Sequence, residues 1–217
     1  MTKRTFKDQA YGLLARLVKA MSNPHRLEII DLLGQGERPV EQIAMETGIP
    51  VANASQHLQI LKRSNLVRVR REGNFIHYTL ANEQVYKSWS NLKAIGLESI
   101  SELNALIEDL RKKKNSLEAV TMEELSSKMA SGKVVLLDIR PEEEYHAGHI
   151  PDAINIPIEL LKTKLKQLSM NKEYIAYCRG VFCVFADEAV QLLTQKGFKA
   201  RRLEEGYPDW KLKFSSC

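Results

Sequence analysis

Apolar positions change their period along this chain, and the changes divide it into parts. Leu27, Ile30 and Leu33 recur at helical spacing behind Ser22-Asn23-Pro24, where a capping side chain precedes a proline suited to the first helical turn. Gly34 and Gly36 stop that helix. A shorter helix is expected near Val40–Thr47, ended by Gly48, and another over Val51–Ser64, whose core face is Ala54, Leu58 and Leu61. The period then falls to two in Leu66-Val67-Arg68-Val69-Arg70-Arg71 and again in Phe75-Ile76-His77-Tyr78-Thr79-Leu80, around a turn at Glu72-Gly73-Asn74. This predicts a β-hairpin with arginines near its tip. From Glu83 to about Asn115 the helical period returns, through Val85, Trp89, Leu92, Gly96, Ile100, Leu103, Ile107 and Leu110, and predicts one long helix. Its stripe is longer than the small preceding core can cover, and a partner copy of the same helix is the economical cover. A homodimer is therefore expected.

Helix, turn, helix and basic hairpin make the outline of a winged helix-turn-helix. Arg111-Lys112-Lys113-Lys114-Asn115 closes the long helix, and Thr121-Met122-Glu123-Glu124 is a capping box that starts a new unit. Strands and helices alternate from there: strand at Val134–Ile139, helix at Ile158–Gln167, strand at Tyr174–Tyr177, helix at Val184–Lys196, strand at Phe198–Leu203. Short apolar strands separated by helices predict a parallel sheet covered on both faces. The fold expected is an α+β winged helix-turn-helix domain with a long dimerisation helix over residues 1–115, then an α/β domain over 116–217.

Charge sharpens this division. The net charge of +5 lies in residues 1–82, which carry 12 Lys/Arg against 7 Asp/Glu, whereas residues 83–217 carry 20 of each. A polyanion partner is expected in the first part and not elsewhere. The most apolar early stretch, Leu13 to Met21, is interrupted by Arg16 and Lys19 and fits neither a membrane span nor a signal-peptide core. Three cysteines clustered late do not make a secreted disulfide framework, so a cytoplasmic protein with reduced thiols and no membrane partner is expected.

Two of those cysteines carry the candidate chemistry. Cys178-Arg179-Gly180-Val181-Phe182-Cys183 sits between the strand-like Tyr174-Ile175-Ala176-Tyr177 and a helix-like run. A thiol at such a turn faces loop amides and the positive end of a helix, both of which favour thiolate. Arg179 adds a positive charge, and no Asp or Glu lies between Cys178 and Ala186. The loop reads as a cradle for an anionic, nucleophilic sulfur. Cys217 is a terminal thiol with no role assigned to it.

Met21-Ser22-Asn23-Pro24-His25-Arg26-Leu27-Glu28-Ile29-Ile30, Ser55-Gln56-His57-Leu58-Gln59-Ile60-Leu61 and the Gly73 wing resemble the ArsR/SmtB winged-helix repressors over roughly residues 10–100. The resemblance implies that Val51–Ser64 is the recognition helix of a double-stranded DNA operator. Asn53, Ser55, Gln56 and Gln59 would face the major groove, where amides can pair with adenine edges. Arg68, Arg70 and Arg71, with Asn74 at the wing turn, would hold phosphate or reach the minor groove. His57 reads either as a DNA contact or as a core histidine. Metal sensors of that family place a Cys-x-Cys pair before the recognition helix or Asp/His ligands in the last helix. Here the first region is Glu41-Gln42-Ile43-Ala44-Met45-Glu46, and residues 83–115 contain no histidine. No metal or cofactor is expected, and the inducer must act from elsewhere.

Residues 117–214 resemble a single rhodanese domain. The resemblance rests on Asp138-Ile139-Arg140, on Glu144-Tyr145-His146-Ala147-Gly148-His149-Ile150-Pro151-Asp152-Ala153-Ile154-Asn155-Ile156-Pro157, on Tyr177-Cys178-Arg179-Gly180 and on Gly206-Tyr207-Pro208-Asp209-Trp210. It implies that Cys178 accepts sulfur from a donor as a persulfide and passes it on, with Arg179 assisting. Asp138 and Arg140 read as a structural ion pair and His149 as a turn-stabilising side chain. Some phosphatases share this fold but close a longer loop with an arginine; here Cys183, Val184 and Phe185 follow. Val181 and Phe182 make thiosulfate a poorer donor than a persulfide or polysulfide. Cys183 either resolves the Cys178 persulfide or is a small buried residue. Together these readings point to a homodimeric repressor that senses or processes reactive sulfur through Cys178. The competing readings are a sulfurtransferase whose DNA module is secondary and a plain Cys178–Cys183 dithiol switch.

Overall fold

The structure is a computed structural model that describes residues 1–214 except 74, 117, 131 and 133, with Phe75 described by its backbone alone. Asn74 and Cys217 therefore lie outside the described residues. The chain forms two compact units, Met1–Asn91 and Leu92–Cys217.

In the first unit, α1 (Lys3–Met21) precedes α2 (Pro24–Gly34), whose start is fixed by the Asn23 side-chain oxygen accepting the Arg26 amide at 3.3 Å. The two-residue β1 (Arg38–Pro39) leads into α3 (Val40–Thr47), which ends where Gly48 takes the left-handed conformation. α4 (Val51–Arg63) follows, then the hairpin of β2 (Val67–Glu72) and β3 (Phe75–Leu80). The sheet order is β1-β3-β2, all antiparallel. Ile29, Ile30, Ile43, Ala54, Leu58 and Leu61 are fully buried, so the helical stripes converge on one core. Each buried leucine or isoleucine contributes about 1.5–3 kcal/mol. This is the winged helix-turn-helix expected from the apolar pattern.

The expected single helix over 83–115 is two helices, α5 (Glu83–Ser99) and α6 (Ser101–Lys114). Ile100 between them is extended, at φ −112° and ψ 97°. A β-branched residue between two serines is a weak helical segment. Leu103 and Ile100 side-chain atoms lie near Gly96, at ordinary contact distance of 3.6 and 3.9 Å from where its Cβ would be. The Asn104 side-chain amide then donates to the Leu97 carbonyl at 2.6 Å.

α6 packs within the second unit. Arg111 approaches Asp187 at 3.9 Å, Lys114 approaches Glu188 at 3.3 Å, and the Ser116 hydroxyl donates to Asp187 at 2.6 Å. The rest of this unit runs β4 (Ala119–Val120), α7 (Met122–Ala130), β5 (Val134–Asp138), α8 (Glu142–Ala147), β6 (Ile154–Asn155) and α9 (Ile158–Lys164), which continues as a 3-10 turn. Then come β7 (Glu173–Tyr177), α10 (Phe185–Gln195), β8 (Lys199–Leu203) and α11 (Tyr207–Phe214). The five strands pair in parallel in the order β4-β8-β7-β5-β6. β7 alternates strictly: Tyr174 and Ala176 enter the apolar cluster with α10, and Ile175 and Tyr177 enter the other. Cys178 continues that alternation, which puts its sulfur on the α10 side of the central strand.

Candidate functional site

Cys178 is the first residue past β7, at the carboxyl end of a parallel sheet, where crevices form in open α/β folds. It is almost completely buried, packed with Ala186 and Ala189 of α10. The loop to α10 turns tightly: the Cys183 amide donates to the Gly180 carbonyl at 3.0 Å. The Cys178 thiol points at the Cys183 carbonyl, 3.4 Å away.

This geometry modifies the thiolate cradle expected from the sequence. Burial pushes the Cys178 thiol well above the ordinary range, a hydrogen bond and charge from Cys183 push it further, and the Ala186 and Gly180 amides pull only partly back. Cys183 moves the other way. The Cys178 thiol hydrogen-bonds to it, as do the Arg179 and Phe185 amides, and these hold it below the ordinary thiol value against its own burial. The two thiols are thus shifted in opposite directions, Cys178 upward and Cys183 downward.

Arg179 is engaged by Glu144, its Nε donating to Oε1 at 2.8 Å, and its guanidinium lies 5.8 Å from the Phe185 ring. The loop cation expected to face the sulfur is thus largely compensated by a carboxylate 35 residues earlier. What Arg179 supplies at the loop is its amide and a distant charge, both acting on Cys183. Gly206 closes the far side, since a Cβ there would fall 2.6 Å from the Arg179 carbonyl oxygen and 2.8 Å from the Gly180 nitrogen.

Below the loop, Asp138 and Arg140 are fully buried and paired, Nη2 to Oδ2 at 2.6 Å. The Tyr177 hydroxyl donates to the same carboxylate at 2.6 Å, and Arg140 donates to the Gly148 carbonyl at 2.8 Å. His149 stacks on Tyr145 at 3.8 Å with its Nδ1 2.9 Å from the Tyr145 carbonyl. These side chains brace the sheet end and turn, consistent with their reading as scaffold.

In the first unit Asn53, Gln56 and Gln59 are exposed on α4, and Ser55 is half-buried. Gln59 hydrogen-bonds the Tyr78 hydroxyl, tying α4 to β3. His57 packs beside His25, ring centroids 5.5 Å apart, and burial lowers its pKa. The ring is half-buried beside His25 of α2. Arg68 and Arg71 are exposed on the hairpin, whereas Arg70 is held by Glu37 and, at 2.8 Å, by Glu72.

Residues 21–70 match the family model of a helix-turn-helix domain, and residues 121–213 match that of the rhodanese-like domain. Across 92% of its length the chain is 41% identical to the HTH-type transcriptional regulator Rv0324 of Mycobacterium tuberculosis, 87% of which it covers. The chain belongs to the ArsR-like winged helix-turn-helix transcriptional regulators that carry a rhodanese domain. Among solved structures, the homodimeric winged helix-turn-helix DNA-binding domain of a Mycobacterium bovis protein is 40% identical, with a TM-score of 0.43, over 46% of this chain and 91% of that one. A rhodanese-related protein of Thermoplasma volcanium is 28% identical, with a TM-score of 0.41, over 45% of the chain and 93% of that one.

Several residues of this regulator that shape the site escaped the sequence reading. Glu144 and Asp209 stood inside the rhodanese-like motifs without a role, and Lys93 interrupted an apolar stripe. Lys93 is only 8% exposed and pairs with Asp209 at 3.4 Å. A lysine within a stripe otherwise apolar was the available signal for it. No helix among the described residues is long and apolar enough to cross a membrane.

Proposed function

We propose that this regulator is a cytoplasmic homodimeric repressor that responds to reactive sulfur through a persulfide on Cys178. The observation that carries the proposal is Cys178, its thiol 3.4 Å from the Cys183 carbonyl, at the sheet end of a rhodanese domain joined to a DNA-binding unit. Exposed Leu92, Ile95, Ile100 and Leu106 on the α5–α6 segment, with Phe6 and Leu14 on α1, support burial against a second copy.

The chemistry follows from the pair. As a persulfide donor R–S–SH approaches, Cys183 thiolate takes the Cys178 proton. The Cys178 sulfur attacks the donor's outer sulfur, the donor S–S bond breaks, and R–S⁻ leaves to be protonated by water. Cys178 then carries –S–SH, and the loop amides stabilise its anion. Once Cys183 has given its proton to solvent, it attacks the Cys178 Sγ and expels hydrosulfide. Two thiols are thereby oxidised to a disulfide, and the transferred sulfur is reduced.

Intact mass after treatment with sodium tetrasulfide, with DNA binding measured in parallel, tests this reading. The DNA is a duplex selected by the full chain from a random-sequence library. Wild type is expected to take up sulfur and to bind at least tenfold more weakly, while Cys183→Ser retains added sulfur that wild type sheds. Unchanged affinity in sulfur-loaded wild type would sink the regulatory reading. Sustained turnover with a persulfide and cyanide, with DNA binding indifferent to sulfur, would favour the sulfurtransferase.

The wing makes a separate expectation. Arg68→Ala or Arg71→Ala should weaken binding across sequences and lower the salt slope by about 0.9 for each phosphate that is no longer neutralised. Arg70→Ala should change the slope less, because Glu37 and Glu72 already compensate that cation. Titrations of the selected duplex at several salt concentrations read both.

A further inference from the structure

Lys93 and Asp209 both belong to the second unit, and they meet at the reactive loop. The Lys93 ammonium lies 3.4 and 3.5 Å from the two Asp209 oxygens. One of those oxygens accepts the Gly206 amide at 3.5 Å. Both charged groups also sit against Gly180: a Cβ on Gly180 would be 3.4 Å from Asp209 Oδ2 and 3.8 Å from Lys93 Nζ. Gly180 has a φ of +126° and lies between the two cysteines. Its carbonyl accepts the Cys183 amide, and the Cys178 sulfur lies 4.0 Å from the same oxygen. Both cysteines therefore touch the Gly180 carbonyl, one through its amide and one through its sulfur, and the ion pair lies beside the same residue.

Lys93 is on α5, an unbroken helix from Glu83 to Ser99. Its first turns are fixed inside the first unit. Tyr86 and Trp89 are buried there, Trp89 Nε1 donates to Asp31 of α2 at 2.6 Å, and Tyr86 packs where Gly34 leaves no room for a side chain. Tyr86, Trp89 and Lys93 follow at spacings of three and four, along one helix face. Lys93 thus follows, four residues on in the same helix, the tryptophan that anchors on α2.

We propose that the Lys93–Asp209 ion pair is the clasp through which the sulfur state of the Cys178–Cys183 loop reaches α5 and so the DNA-binding unit. The proposal rests on the loop being the input, as argued above, and adds the route out of it. Persulfidation, or closure of the Cys178–Cys183 bridge, displaces the Gly180 peptide and loosens the clasp. α5 loses a buried, charge-paired restraint, and the change appears in its anchored first turns. Buried ion pairs are weak sources of stability but good registry devices, which suits this role.

Hydrogen exchange of the segment 83–91 in the full chain tests the clasp, in wild type, Lys93→Met and Lys93→Arg. Methionine keeps the length and flexibility of the side chain without its charge, and arginine keeps the charge. Each protein is treated with sodium tetrasulfide, or with diamide, which takes two electrons and two protons from the thiol pair to form the disulfide. Loaded wild type is expected to exchange 83–91 several-fold faster than untreated protein. Lys93→Met should take up the same sulfur by mass yet show one unchanging rate, and Lys93→Arg should restore the response.

A full wild-type response in Lys93→Met would overturn the clasp, as would no response in wild type to either treatment. A response to diamide but not to tetrasulfide, with no added sulfur held even by Cys183→Ser, would overturn the persulfide input and leave the clasp supported. The two readings therefore fail in different ways.

Discussion

Asp138→Ala is expected to destabilise the second unit by about 3–5 kcal/mol, enough to abolish most of the stability of a domain of this size. The carboxylate is completely buried and accepts from Arg140 Nε, Nη2 and main-chain nitrogen and from the Tyr177 hydroxyl. Truncation leaves a buried guanidinium with only Glu144, 3.9 Å away and already bound by Arg179, as counter-charge, and it also strips the acceptor from a buried phenol. The poorly compensated charge dominates, because removing both partners of such a pair is far milder than removing one. Asp138→Ala/Arg140→Met should therefore recover a substantial part of the stability, although the Gly148 carbonyl then has no Arg140 donor. Urea melts followed by far-ultraviolet circular dichroism read the difference. The helix-turn-helix unit supplies a separate transition that stays in place.

The local pattern carried most of the fold. Val134–Ile139, Tyr174–Tyr177 and Phe198–Leu203 were legible as strands because each is an apolar run long enough to show its own period, and they form β5, β7 and β8. The two-residue strands β1, β4 and β6 have no period to read, and α8 and α11 hide in motif segments rich in proline, glycine and charge. The break at Ile100 was invisible for a different reason. The apolar stripe passes through it without a change of spacing, and the break lies in the extended backbone of Ile100, which no spacing of side chains reveals.

The site was legible as chemistry but not as electrostatics. The strand-to-helix turn and its two thiols were readable because loop amides and helix ends are local features. Burial of Cys178 follows from strand alternation that carries it under α10, and that burial outweighs the amides. Arg179 meets Glu144 across 35 residues and Lys93 meets Asp209 across 116, distances over which a sequence gives no pairing signal. The wing arginines were read as a group, whereas Glu37, near the start of the sheet, sets Arg70 apart from its neighbours.

Cys178→Ala is expected to hold no more sulfur after tetrasulfide than untreated protein, although Cys183 remains and is the more acidic thiol. Both thiols have loop amides beside them, so the expectation rests on the place of Cys178 directly after β7 at the sheet end. The two alanine variants should also move the pH dependence of site-resolved alkylation in opposite directions. Cys183→Ala removes a hydrogen bond and a charge that both raise the Cys178 pKa, so the labelling midpoint of Cys178 falls while burial keeps it above that of an exposed thiol. Cys178→Ala removes the donor that most lowers the Cys183 pKa, so the midpoint of Cys183 rises. Iodoacetamide labelling of each peptide across a pH series reads both shifts. Parallel movement in the two variants would mean that the thiols titrate independently, and the proton transfer that opens the proposed reaction would have no acceptor.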